Sequence, residues 1–377
     1  GTDWQAPGAD SAEDTHEYTQ SPDASNELKS VTNYDVVGGV STGSSTNHTN
    51  SQAGHLQHDG AYHYFYDAWG RLVHVYEDSD TSPNSPGMRI REYVYDGFGR
   101  LIQTTSPMDG GGDYVERFVY DGTRRVQQFA NANNAGEQLK REYIWSPVGG
   151  VDELLVEYEG DRDVGDVQGF YAIHDIAGDL VALCDLNGGA THKARVVGQW
   201  TYDAYGGVLT AEQIQANMPL RHIGHKGLFI DRLDAPAADS SGDELLRLIP
   251  YGHNVYHNRN RVYAPAMGRF LQRDPNQSAL AVLGGSHSGR GTSLASLTFS
   301  FEGMYGDGMN LYAYMGANPS LRRDPMGLSY DPFDMVDDYL AETAGNRAAL
   351  LGAIGQGGKS AAIVGAQILS MTPFPLA

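Results

Sequence analysis

The chain has 377 residues, a formal net charge of −21 and one cysteine, and its length is enough for two or three domains. The acidic charge argues against nucleic acid and anionic lipid as partners, because no basic cluster is present to replace phosphate counterions. The single Cys184 can form neither an intrachain disulfide nor a zinc pattern of several thiolates, so it is predicted to be a small buried apolar residue.

Residues 1–58 are rich in Ser, Thr, Asn, Asp and Gly and poor in apolar residues. A segment of this composition has little apolar surface to bury, so it is predicted to be irregular. The run from Val36 to Val40 is the exception and is predicted as one short strand. The chain begins at Gly1, which indicates a processed product or a fragment, so the lack of a leader carries no information about secretion.

A turn motif, most often Tyr-Asp, recurs at a near-constant interval through residues 59–212. Its copies are Tyr66-Asp67, Tyr95-Asp96, Tyr120-Asp121, Trp145-Ser146, His174-Asp175 and Tyr202-Asp203. A fixed period of this kind indicates an architecture made of stacked units.

Most copies place Asp at the first position of a four-residue turn and Gly at the fourth, as in Asp67 and Gly70. The Asp side chain accepts backbone N–H groups, and Gly suits the exit of a type I turn. The flanking residues have β-strand character, so each unit is predicted to be a hairpin. Because a single hairpin is marginally stable, neighbouring hairpins are predicted to pair into a long, coiled antiparallel sheet. Loops are predicted at the far ends of the hairpins, at residues 82–87, 107–112, 131–136 and 187–189.

The composition changes twice beyond residue 212. Arg, Asn, Tyr and Asp-Pro pairs dominate residues 213–328, which carry linker-like insertions at 235–243 and 283–300. Residues 329–377 shift to Ala, Gly, Leu and Ile, and apolar residues at helical spacing predict a helix over 334–351.

The Tyr-Asp units resemble the YD repeats of the RHS family, and two later segments look like the family's associated core. These segments run from Asn258 to Pro275 and from Asn310 to Leu328. The core motif marks bacterial RHS proteins, the C subunits of insecticidal toxin complexes and, more distantly, teneurins. The resemblance implies a mainly β fold in which YD-repeat hairpins coil into a hollow RHS-type shell, with a short helical C-terminal tail.

The resemblance also implies an activity. In many family members the core is an aspartyl autoprotease that cuts after an Asp-Pro-x-Gly-Leu motif, which here falls between Leu328 and Ser329. The family's two catalytic aspartates match Asp274 and Asp324. No cofactor or metal is expected. The implied partners are the chain's own C-terminal payload inside the shell and a secretion-system or cell-surface partner, with a secreted or cell-surface location.

Peptide hydrolysis needs one group that takes a proton and one that gives it. Two carboxylates held close together suit this task, because both cannot ionise easily. Arg273 and Arg323 each precede one of the aspartates and are predicted to keep one carboxylate ionised. The chain departs from the family pattern in two places. The first motif reads Asp274-Pro275-Asn276-Gln277 and lacks the glycine common in the family, and an insertion at 279–300 lengthens the separation of the aspartates.

Two other functions remain open from the sequence. One is a non-catalytic cell-surface adhesion or carbohydrate-binding protein, and the other is a toxin enzyme within residues 329–377, a segment that is short for an independent core. Four histidines are predicted to lie in exposed loops and not to bind a metal, because no carboxylate or cysteine accompanies them at ligand spacing. They are His222, His225, His253 and His257.

Overall fold

The structure is a computed structural model of two compact units, Gly1–Ser329 and Tyr330–Ala377. It describes residues 15–20, 27–37, 40–79, 82–133, 135–146, 152–161, 166–185, 195–213, 222–241, 244, 252–274, 310–319, 322, 324 and 327. All of them belong to the first unit. The helix predicted over 334–351 and the insertion at 283–300 therefore lie outside the described residues.

The described residues begin with three antiparallel strands: β1 (Thr15–Gln20), β2 (Leu28–Val37) and β3 (Val40–Asn47). The prediction of an irregular segment is wrong for these residues. The run from Val36 to Val40, predicted as one strand, instead spans the end of β2 and the start of β3, with Val37 paired to Val40. The reason is that Thr and Val favour extended backbone, and a ladder of backbone hydrogen bonds does not require an apolar composition.

Fourteen strands then form one antiparallel sheet in which every strand pairs with its neighbours in sequence. They are β4 (Thr49–Asn50), β5 (Leu56–His58), β6 (Tyr62–Tyr66), β7 (Leu72–Ser79), β8 (Ser82–Tyr95), β9 (Leu101–Pro107), β10 (Asp113–Asp121), β11 (Arg124–Ala132), β12 (Gln138–Trp145), β13 (Leu154–Asp161), β14 (Asp166–His174), β15 (Leu180–Asp185), β16 (Arg195–Tyr202) and β17 (Val208–Gln213). Within the described part of residues 60–213 there are strands and turns but no helix, which confirms the mainly β fold class.

The turns of the repeats have the predicted chemistry. Gly99 donates its N–H to the carbonyl of Asp96 at 3.1 Å, and Oδ1 of Asp96 accepts the N–H groups of Phe98 and Arg100, both at 2.9 Å. The same pattern surrounds Asp67 and Asp203. A short aspartate side chain therefore satisfies backbone groups that would otherwise be left unpaired at the turn.

The repeat tyrosine links each unit to the one before it. The hydroxyl of Tyr95 donates to the carbonyl of Leu72 at 2.8 Å, and that of Tyr120 donates to Leu101 at 2.7 Å. Tyr66 and Tyr202 make the equivalent bonds to Leu56 and Leu180. The tyrosine at this position thus has a structural use, because its ring is covered while its hydroxyl finds a backbone acceptor.

The predicted loops are confirmed in part. Residues 108–112 do connect β9 with β10. Residues 82–87 are not a loop, because they open β8, where Pro86 pairs with Asp78 of β7. The prolines are accommodated because the register shifts repeatedly along this pair of strands, as at a bulge. Residues 187–189 lie outside the described residues.

A smaller antiparallel sheet comes from residues 229–270, which include part of the segment that resembles the associated core. Its strands are β18 (Phe229–Arg232), β19 (Asn254–Asn258), β20 (Arg261–Ala264) and β21 (Arg269–Phe270). The described 3-10 helices are His225–Gly227, Pro265–Met267 and Met315–Ala317. Tyr256, Tyr263 and Phe270 of this sheet share one buried cluster with Phe170 and Trp200 of the large sheet. The apolar face of the large sheet is therefore covered by residues of the segment that follows it.

Buried ion pairs also join the large sheet to the segment that follows it, one of them to β18 of the small sheet. Nε of Arg91 lies 2.9 Å from Oδ1 of Asp231, with both side chains 3% exposed. Arg141 contacts Glu244 at 2.5 Å, and burial of such charges is tolerated only when they are paired.

The prediction of four exposed loop histidines is wrong for His222 and His225, which are buried, and for His257, which lies on β19 and is half-buried; His253 is half-buried. His225 pairs with Asp179 through Nδ1 and Oδ1 at 2.9 Å, and His222 lies 3.7 Å from Glu244. Their partners come from distant parts of the chain, so ligand spacing along the sequence did not reveal them. The prediction that Cys184 is buried is confirmed.

Candidate active site

Asp274 follows β21 and is held by the chain that returns from residue 310. Its N–H donates to the carbonyl of Leu311 at 2.9 Å, and four residues earlier Phe270 donates to the carbonyl of Tyr312 at 3.1 Å. Asn310 turns the returning chain, since its side chain accepts the N–H of Tyr312 at 3.1 Å. These bonds place Asp274 at one end of the small sheet.

Asp324 is anchored from the opposite side by β19. Nδ2 of the buried Asn258 donates to the carbonyl of Asp324 at 2.8 Å, and the N–H of Gly327 donates to the same carbonyl at 3.3 Å. The residue is 3% exposed. A buried carboxyl needs a partner, and the fold supplies one.

That partner is Arg261, the first residue of β20, which contacts both aspartates. Its Nη1 lies 3.2 Å from Oδ2 of Asp274, and its Nη2 lies 3.6 Å from Oδ2 of Asp324. Its Nε donates to the carbonyl of Gly327, and its Nη1 also donates to Leu311 at 3.3 Å. One buried guanidinium therefore brings together two aspartates that are distant in sequence and the backbone that leads towards residue 328.

Aromatic rings enclose this arginine and its surroundings. The guanidinium of Arg261 lies over the ring of Phe270, 3.7 Å from its centroid. Tyr314 is fully buried and stacks on Tyr263 with ring centroids 3.6 Å apart. Burial, and next the charge of Asp324, hold the pKa of the Tyr314 hydroxyl well above its usual range, so this hydroxyl is protonated at neutral pH.

The local chain requires a glycine at position 327. Gly327 has a φ of +65°, and a Cβ added there would lie 2.4 Å from the carbonyl oxygen of Asn258. Both observations exclude a larger residue without movement of the chain. The glycine of the Asp-Pro-x-Gly-Leu motif thus permits close packing of this segment on β19.

The predicted site residues fall into three groups. Asp274 and Asp324 both contact the same arginine, Arg261. Arg273 is exposed and points elsewhere, with its Cδ close to Gly54. Arg323, Leu328 and Ser329 lie outside the described residues.

Sequence reasoning missed Arg261, although it stands inside the motif that carries the family resemblance. The available signal was an arginine at the head of the strand Arg261–Ala264, in which every residue is buried. An arginine in such a strand needs a buried partner of opposite charge. The predicted role was given to the arginines adjacent in sequence instead.

No protein-family model matches the chain, and no curated protein matches it in sequence. Solved structures do match. A TcdB2–TccC3–Cdc42 crystal structure has 16% identity and a TM-score of 0.50, over 88% of this chain and 14% of the other. A TcdB2–TccC3 crystal structure has 18% identity and a TM-score of 0.49, over 84% and 14%. The similarity to the TcdB2–TccC3–Cdc42 structure shows a shared fold. The present chain spans 14% of the length of that protein.

Among the described residues, no helix has the length and apolar character needed to cross a membrane.

Proposed function

We propose that this chain belongs to a β-shell that encloses a C-terminal payload, and that residues 213–328 act as an aspartyl autoprotease. The cut falls between Leu328 and Ser329 and separates the payload from the shell. Two findings support the proposal: the resemblance of the core motifs to those of the RHS family, and the fold shared with part of a TcdB2–TccC3–Cdc42 structure.

The observation that carries the proposal is the contact of Arg261 with both Asp274 and Asp324. The same arginine binds the carbonyl of Gly327, one residue before the proposed cleavage position. Two carboxylates and one guanidinium leave an excess negative charge, and a proton shared by the carboxyls would neutralise it.

The proposed reaction is a hydrolysis. One carboxylate takes a proton from water, and the resulting hydroxide adds to the carbonyl carbon of Leu328. The other carboxyl group gives its proton to the nitrogen of Ser329, and the C–N bond breaks. Arg261 holds the two carboxyl groups in register, and no cofactor takes part. The products are a new carboxylate at Leu328 and a new amino group at Ser329.

The segment from Ser329 onwards is then the beginning of the payload, and a secretion system or a target-cell surface is the proposed external partner.

Substitution of each aspartate tests the proposal. The parent chain should yield two pieces, the smaller beginning at Ser329, whereas Asp274→Asn and Asp324→Asn should each leave the chain uncut. A matched control is Asp203→Asn, at a repeat turn where the side-chain oxygen that accepts backbone N–H groups is kept. Gel separation and N-terminal sequencing give the result. An uncut parent, or cleavage of both aspartate variants at the parental rate, would contradict the proposal.

One observation favours the alternative of a non-catalytic adhesion protein. Trp69 and Phe98 occupy the same turn position in successive repeats, and they are 82% and 58% exposed. Exposed aromatic rings are suited to stacking on sugars or partner surfaces. If the parent chain stays uncut and Trp69→Ala loses binding to cell-surface glycans, adhesion replaces autoproteolysis.

A further inference from the structure

Two histidines and an aspartate from three neighbouring strands meet at the start of the large sheet. His58 ends β5, His63 lies on β6 and Asp78 lies near the end of β7. His58 and His63 are directly paired across the two strands, and the N–H of Asp78 donates to the carbonyl of Ala61 at 2.9 Å. The backbone pairing therefore fixes the three side chains close together.

The potential ligand atoms of these residues are near one another. Nε2 of His63 is 2.9 Å from Oδ1 of Asp78, Nε2 of His58 is 3.6 Å from the same oxygen, and all three ligand atoms lie within 4.8 Å of each other. Ligands bonded to a tetrahedral zinc ion at its usual bond lengths stand about 3.3 Å apart. The observed separations are close to this value.

His58 is the member of the cluster whose ring nitrogen most needs a partner. The residue is 4% exposed, and within the described chain its Nε2 makes no hydrogen bond. The two imidazole rings stack with centroids 4.3 Å apart. A neutral imidazole with a free lone pair is the form that binds a metal.

We propose that His58, His63 and Asp78 bind one divalent transition-metal ion of the zinc class. Two imidazoles and one carboxylate suit zinc and its neighbours, whereas calcium and magnesium prefer sites made only of oxygen. The side chain of Asp78 is 25% exposed, so water can reach the fourth coordination position. The ion would tie β5, β6 and β7 together at the beginning of the sheet.

The sequence predicted no metal site, because helical and loop spacings are the patterns along a chain that indicate metal ligands. His58, His63 and Asp78 belong to no such pattern. Only the antiparallel pairing of successive strands brings the three together, and the four histidines considered from the sequence are different ones.

Metal titration tests this site. The chain, stripped with a chelator and dialysed, is titrated with Zn(II) and separately with Co(II), whose visible spectrum reports four-coordinate binding. We expect one equivalent per chain. His58→Gln, His63→Gln and Asp78→Asn should each weaken binding by about tenfold or more, because even the loss of an outer partner of a ligand costs this much.

The control is His74→Gln, on β7 but outside the cluster, which should bind like the parent. Zn(II) should also raise the unfolding temperature of the parent and of this control but not of Asp78→Asn. Asn has nearly the same shape as Asp, so the Asp78→Asn variant is expected to fold. It therefore tests metal binding even if a histidine variant fails to fold. The proposal is overturned if the parent binds no Zn(II), or if Asp78→Asn binds it as tightly as the parent does. The cluster is then a hydrogen-bonded pair with a neighbouring histidine.

Discussion

Replacement of Asp231 by Ala should remove the main electrostatic link between the large sheet and the small one. Asp231 of β18 accepts a hydrogen bond from Nε of Arg91 at 2.9 Å and another from the hydroxyl of Tyr93 at 2.7 Å. Arg91 and Tyr93 both belong to β8. All three groups are buried, so water cannot replace the lost carboxylate.

The size of the effect follows from this burial. Removal of one member of a buried ion pair costs about 3–5 kcal/mol, because the remaining charge has no counterion. Arg91 would keep hydrogen bonds to the carbonyls of Ile90 at 2.7 Å and Ala235 at 3.0 Å. These bonds compensate part of the loss. We therefore expect the free energy of unfolding to fall by about 3 kcal/mol, at the lower end of the range.

Urea unfolding followed by tryptophan fluorescence measures this change. The control is Glu137→Ala, which breaks an ion pair with Arg117. The side chain of Arg117 is 60% exposed and that of Glu137 is 41% exposed. An exposed pair of this kind contributes less than about 1 kcal/mol. If Asp231→Ala is no more destabilising than Glu137→Ala, the reasoning about the buried link between the sheets is wrong.

Asp96→Ala should lower the free energy of unfolding by about 1 kcal/mol, through loss of its bonds to the turn, and leave cleavage unchanged on a gel. Burial alone would raise the pKa of Asp179, but the hydrogen bond and charge of His225, together with the backbone N–H and charge of Lys226, outweigh burial and lower the net pKa. The stability from this carboxylate is therefore complete above the ordinary pKa of 3.8 and is lost as pH falls through the lowered value. Asp179→Asn should accordingly flatten the acid side of a stability–pH curve, and an unchanged curve would contradict this assignment. Gly327→Ala should lower the urea midpoint and slow cleavage measured on a gel, because the added Cβ meets the carbonyl of Asn258 and moves the chain beside the proposed cut; a parental cleavage rate would contradict this. Arg261→Lys should slow cleavage about tenfold or more, because a lysine cannot contact two carboxylates with a planar fork, and a parental rate would refute that role.

The repeat architecture could be predicted from the sequence because its signals are local. Asp96 and Gly99 determine a turn within four residues, and the flanking residues pair with the adjacent strand. The N-terminal strands β1 to β3 could not be predicted in this way. Their composition resembles that of a disordered segment, and their stability depends on backbone pairing between strands.

The proposed site was predictable only in part. The aspartates at 274 and 324 stand in motifs that resemble a known family, so they could be named. Arg261 could not be assigned to them from spacing, because it reaches both only after β19, β20 and the chain from residue 310 have packed together. The buried His222 and His225 were misjudged for the same reason, since their acidic partners are far away in sequence.

The most direct test of the account is the intact mass of the purified chain, prepared in water enriched in the heavy isotope of oxygen. Hydrolysis by Asp274 and Asp324 predicts two masses, those of residues 1–328 and 329–377. The larger piece should carry one heavy oxygen in the new carboxylate of Leu328. A single mass for the full 377-residue chain, at every pH between mildly acidic and neutral, would contradict the proposed autoproteolysis.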